Sequence, residues 1–94
     1  MKIHELKTVP PFFNLVESGV KKFEMRINDR DYQVGDVLHL REYVPQKNIT
    51  AAYYTGRECL VRVTYILTHG ALPDMPNNFV IMSIELLNPF MRNI

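Results

Sequence analysis

Residues 18–36, SGVKKFEMRINDRDYQVGD, gather Lys21, Lys22, Glu24, Arg26, Asp29, Arg30, Asp31 and Asp36 into one short stretch. The chemistry open to such a set is specific. An arginine fork binds phosphate or carboxylate through paired N–H donors. A desolvated lysine can act as a base or nucleophile. A carboxylate can hold that lysine, orient a water, or accept from a base amino group. Lys21 and Glu24 are therefore the candidate catalytic pair. Lys7, Lys21, Glu24, Arg26 and Arg30 are the candidate ligand-binding residues.

The same residues also have plainer uses. Glu24 and Arg26 are two apart and share a strand face, which suits a surface ion pair. A lysine just after a helix-ending glycine favours the helix C-terminus. Asp29-Arg30-Asp31 suits a polar turn in which the arginine bridges two acids; reaching a phosphate is the alternative. His4, His39 and His69 lack metal-ligand spacing and Cys59 pairs with none of them, so no metal and no cofactor are expected. His4 is out of phase with Lys7 on one strand. Cys59 reads as a small buried hydrophobe. Tyr43, Tyr53 and Tyr54 suit cross-strand pairing, with base stacking as the alternative. There is no glycine-rich phosphate loop and no Ser-His-Asp pattern.

Positioning these side chains requires short elements at close intervals. Residues 2–7 read as a first strand. Thr8-Val9-Pro10-Pro11 makes a corner, and Phe12, Leu15 and Val16 then fall on one face of a short helix that Gly19 ends. Residues 22–27 form a strand in which Phe23, Met25 and Ile27 alternate with Glu24, Arg26 and Asn28. One face is thus apolar, and the other is either solvated or lines a site. A polar loop (28–33) and a tight Val34-Gly35-Asp36 turn lead into a strand at 37–43. Residues 44–56 form a long connection or wide hairpin. Residues 57–67 form the longest strand, with Val61, Val63, Tyr65 and Leu67 on one face. A loop at 69–78 precedes 79–87, a nearly continuous apolar run expected to be buried on both faces. Residues 88–94 form a tail.

At 94 residues the chain is one domain, 1–87, with room for one core. A hydrophobic fraction of 47% argues against disorder. The net charge of +1 leaves no global attraction to nucleic acid or membranes, so any such contact must be local. No apolar run is long enough to span a bilayer, and a lone cysteine fits a reducing, cytoplasmic setting. A monomer is expected. The fold class is mostly β with one or two short helices (α+β), a small, mostly antiparallel barrel.

The stretch SGVKKFEMR (18–26) resembles the signature of ASCH domains, small barrels of the PUA-like superfamily, in which an apolar helix precedes S-G-x-K-x-x-E-x-R and a V-G-D turn. HELK (4–7), NDRDYQVGD (28–36) and YTGRECLVRVTYIL (54–67) resemble one ASCH-like family of short proteins that carries a domain-of-unknown-function label. The resemblance covers most of the chain. It implies a PUA-like barrel that binds RNA, a nucleotide or a nucleoside in a cleft between helix and barrel, lined here by Lys7, Lys21, Glu24 and Arg26. Some ASCH proteins are amidohydrolases on a modified cytidine, with a set that resembles Lys, a Thr three positions later, and a Glu from a later loop. Lys21 matches, Glu24 stands at the Thr position, and only Asp74 supplies a carboxylate in the 69–78 loop. Two of three roles are altered. Others are described as ribonucleases. The primary expectation is thus an RNA- or nucleotide-binding module, rather than an enzyme. The alternatives are a small hydrolase using Lys21 and Glu24, and a protein-interaction barrel using the 44–56 loop.

Overall fold

A computed structural model describes residues 1–87; the expected 88–94 tail lies outside the described residues. The elements run β1 (Ile3–Thr8), α1 (Pro10–Glu17), β2 (Phe23–Ile27), β3 (Val37–Val44), β4 (Tyr53–Thr68) and β5 (Phe79–Leu86). The five strands form one curled sheet in the order β1-β3-β4-β5-β2. Pairing is antiparallel except between β1 and β3, which run parallel, Ile3 opposite Val37 and Thr8 opposite Glu42. The connection between them passes through α1 and β2, long enough for a crossover. The expected small, mostly antiparallel α+β barrel is the observed architecture, with a single helix among the described residues. It is a half-barrel, with β1 and β2 at its two edges.

The core lies inside the curl. Leu6, Leu38, Leu40, Cys59, Val61, Val63, Val80, Met82 and Ile84 meet there, with Phe13 and Val16 of α1 closing one end. Pro10 and Pro11 start the helix without losing hydrogen bonds, because the first turn's N–H groups have no intrahelical partner. Gly19 ends it at φ +81°, and the N–H groups of Val20 and Lys21 both turn back to the Leu15 carbonyl. That reversal aims Lys21 at the sheet.

Three expectations need correction. The helix buries Phe13 and Val16, while Phe12 and Leu15 are exposed. An eight-residue helix laid across β3 needs only one i, i+3 pair inward, so its flank is left to the cleft. On β4 the inward alternation of Val61 and Val63 does not continue to Tyr65. The register with β5 shifts between Val63 and Tyr65, and this bulge turns Tyr65 out to 58% exposure while Ile66 packs on the core. The run 79–87 is buried on one face only: Val80, Met82 and Ile84 are inside, and Ser83 is exposed. The 44–56 connection is a hairpin, with Tyr43 opposite Tyr54 and a Lys47–Thr50 bridge near its tip.

Candidate binding cleft at the open seam of the sheet

The register of β2 on β5 decides which way its polar residues face. Glu24 pairs with Met82 and Arg26 with Val80, and both partners are core residues. Cross-strand neighbours share a face, so Glu24 and Arg26 must turn inward. Phe23, Met25 and Ile27 then turn outward, each about half exposed. The usual order, apolar in and polar out, is inverted along this strand.

Glu24 is only 3% exposed. Its Oε1 accepts from Lys21 Nζ at 2.7 Å and its Oε2 from Arg26 Nε at 2.9 Å. A carboxylate this deep is tolerable because both oxygens meet cations. Lys21 Nζ also donates to the Phe23 carbonyl at 2.6 Å and lies 4.6 Å from the Phe23 ring centroid. The solvated surface pair that spacing alone allows is therefore a buried, cation-bracketed carboxylate.

Arg26 performs a second task. Its Nη1 donates to the Lys7 carbonyl at 3.1 Å and its Nη2 to Thr8 Oγ1 at 3.2 Å, both on β1. Arg30 Nη1 donates to the Glu5 carbonyl at 3.0 Å. Glu5 and Lys7 present their carbonyls at the edge of β1 that pairs with no strand among the described residues. Arg26 on β2 and Arg30 in the loop after it thus reach across to the edge of β1, where no backbone ladder joins β1 to β2 among the described residues, and the edge carbonyls gain donors.

This seam opens into a cavity of about 500 Å³ bordered by Lys7, Thr8, Phe12, Lys21, Glu24 and Arg26, with Phe23, Met25 and Phe79 on its apolar side. Lys21, Glu24 and Arg26 form one hydrogen-bonded unit in its wall. Lys7 lies on the rim; its ammonium sits 4.6 Å from the Tyr43 ring centroid and makes no contact with Glu24. Arg30 does not border this cavity. It lines two adjoining ones, and its guanidinium faces Asp29 at 3.9 Å as well as the β1 carbonyl. Thr8, Phe12 and Phe79 were not singled out by sequence. The signal for Thr8 was its place one residue beyond Lys7, at the corner where β1 ends.

The HELK and VGD segments meet at a different site. Asp36, 2% exposed, accepts from the Lys2 and Gln33 backbone N–H groups at 3.0 Å each and lies 2.8 Å from His4 Nε2. Burial pushes its carboxyl up, but the bonds from His4, Lys2 and Gln33 outweigh this and hold it at about 2. Gly35, at φ +95°, makes the preceding turn possible. His4 is therefore a structural partner of Asp36, packed against Tyr32 with ring centroids 4.8 Å apart. The turn reading of Gly35-Asp36 omitted this bond set. Among the described residues no group of three or more His, Cys, Asp or Glu is placed to hold a metal, and no helix is long and apolar enough to cross a membrane.

Fold and cleft together define a small curled-sheet protein with a charged, half-apolar cleft at an open seam. The chain belongs to the family described as "Domain of unknown function (DUF3850)", whose model matches residues 3–84. It is 36% identical over 85 residues to an uncharacterized 12.9 kDa protein in the GpA 3′ region of Escherichia phage P2, covering 79% of this chain and 72% of that protein. Its fold is similar to the crystal structure of hypothetical protein PH0355, with a TM-score of 0.59, 17% identity, and coverage of 93% of this chain and all of the other.

Proposed function

We propose that this chain is an ASCH-like barrel of the PUA-like class that binds RNA or a nucleotide in the cleft between α1 and the seam. One observation carries the reading: the buried Glu24, bracketed by Lys21 and Arg26, stands in the wall of a cavity that also exposes Phe12 and Phe23. A flat base suits the aromatic side. Its exocyclic amino group suits a carboxylate, and its phosphate suits the second N–H of each Arg26 terminal nitrogen. The near-neutral chain predicts weak binding with a shallow salt dependence, a slope of about −0.7 per phosphate neutralised. The lone cysteine fits action in the cytoplasm.

The hydrolase alternative has less support. Lys21 already donates to Glu24 and to the Phe23 carbonyl, and Glu24 stands where the ASCH amidohydrolases resemble a threonine. The test is a titration of the isotope-labelled chain with adenosine, cytidine and uridine 5′-monophosphates and short single-stranded RNAs at low salt. Shifts at Thr8, Lys21, Glu24 and Arg26 are expected, with at least tenfold weaker binding in Arg26→Met. Absence of binding for every nucleotide and RNA would refute the reading.

A further inference from the structure

The cleft does not end at Arg26. A second cavity of about 520 Å³ adjoins it along the outer edge of β1, bordered by Glu5, Leu6, Lys7, Arg26, Arg30 and Tyr54. Lys7 and Arg26 border both cavities. The charges in the second one are unequal. Lys7, Arg26 and Arg30 contribute three cations and Glu5 the one carboxylate. That carboxylate is drawn away, 3.5 Å from Arg41 Nη1 and 3.8 Å from His39 Nδ1. The Arg30 side chain is 45% exposed, and its hydrogen bond to Glu5 uses one terminal nitrogen. The Lys7 ammonium touches the Tyr43 ring and makes no ion pair among the described residues. Donors for an anion therefore remain at the boundary between the cavities and just beyond it.

An aromatic surface lies on the far side. Tyr54 is 39% exposed and borders the second cavity. Its ring is held by the Arg41 guanidinium, 3.8 Å from the centroid, and by Tyr43 at 5.2 Å in an edge-on arrangement. A ring fixed in this way loses little freedom when a base stacks against it.

We infer that the ligand is a single-stranded nucleic acid segment rather than a lone nucleotide. One base occupies the Glu24 cavity, the connecting phosphodiester lies between Lys7, Arg26 and Arg30, and the neighbouring nucleotide sits at Tyr54. This rests on the nucleotide-binding reading of the first cavity. The two cavities share Lys7 and Arg26, and Arg30 and Tyr54 line only the second of them, which suits the order of base, phosphate, base along a strand.

The test compares adenosine and uridine 5′-monophosphates with the dinucleotides ApA and UpU on the full chain, by calorimetry at two salt concentrations, with poly-glutamate as an anionic control. The dinucleotides are expected to bind about fivefold or more tightly than the monophosphates, as one stacked base provides. Their salt slope is no steeper than that of the monophosphates, since ApA and UpU carry one phosphate each and the added affinity comes from stacking. The dinucleotide-to-monophosphate affinity ratio falls to near one in Arg30→Gln and in Tyr54→Ala, and the Tyr54 and Arg30 amides shift only with the dinucleotides. If monophosphates bind and dinucleotides bind no better, or if both variants keep the full ratio, the inference fails and the single-nucleotide reading stands. If poly-glutamate binds as tightly as the dinucleotides, the second cavity is a general anion surface and the inference fails. If no nucleotide of either length binds, the underlying reading falls as well.

Discussion

Replacing Glu24 by glutamine tests whether the carboxylate organises the cleft. The side chain keeps its size and loses its charge. The amide oxygen can still accept from Lys21 or Arg26, but the amide nitrogen then faces the N–H groups of the other cation. Removing one partner of a buried ion pair commonly costs about 3–5 kcal/mol, because the remaining charge stays buried. Here the loss is smaller. Lys21 keeps the Phe23 carbonyl, Arg26 keeps the Lys7 carbonyl and Thr8, and their side chains are 14% and 24% exposed. A destabilisation of about 2–3 kcal/mol is expected. For a domain of this size that lowers Tm by on the order of 10–20 °C. Urea denaturation followed by circular dichroism measures it. The same substitution made in a Lys21→Met background should cost about 1 kcal/mol less, since one of the two cations is then absent. A loss below about 0.5 kcal/mol, or strictly additive variants, would refute the role given to Glu24.

The remaining predictions concern the frame around the cleft. Asp36 has its carboxyl lowered from 3.8 to about 2, so its contribution is fully present above about pH 4 and disappears as pH falls towards 2. Stability should drop by about 2 kcal/mol over that window in the wild type and change less there in Asp36→Asn, as read from urea midpoints at stepped pH. Gly19→Ala forces a side chain into the left-handed region at φ +81° and should cost about 1 kcal/mol, and amide shifts should report a displaced Lys21. Met82 and Met25 provide a contrast. Met82→Ala removes a fully buried side chain and should cost about 2–5 kcal/mol, whereas Met25→Thr, at a position 48% exposed, should change stability by less than about 0.5 kcal/mol in the same denaturation assay.

Much of this molecule is determined by local sequence. The prolines and Gly19 bound the helix, Gly35 sets a turn that needs positive φ, and the period-two runs mark the strands, because each of these depends on the residue and its immediate neighbours. Grouping Lys21, Glu24 and Arg26 was also possible locally, since a helix-ending glycine followed by a strand places all three within a few residues. Which face of β2 points inward was not. Alternation alone favours burying Phe23, Met25 and Ile27, yet pairing with Val80 and Met82 turns Glu24 and Arg26 to the interior. A strand's facing is set by the partner whose core residues it must match, and that partner lies more than fifty residues away. The same holds for the β4 bulge that exposes Tyr65, for His4 meeting Asp36, and for the arginines that reach across to the carbonyls of β1. The sequence by itself determined the elements and the charged segment. Only the curl of the sheet decided that this segment faces an open seam, because the closeness of its two edges is a property of the whole twisted sheet and of no single strand.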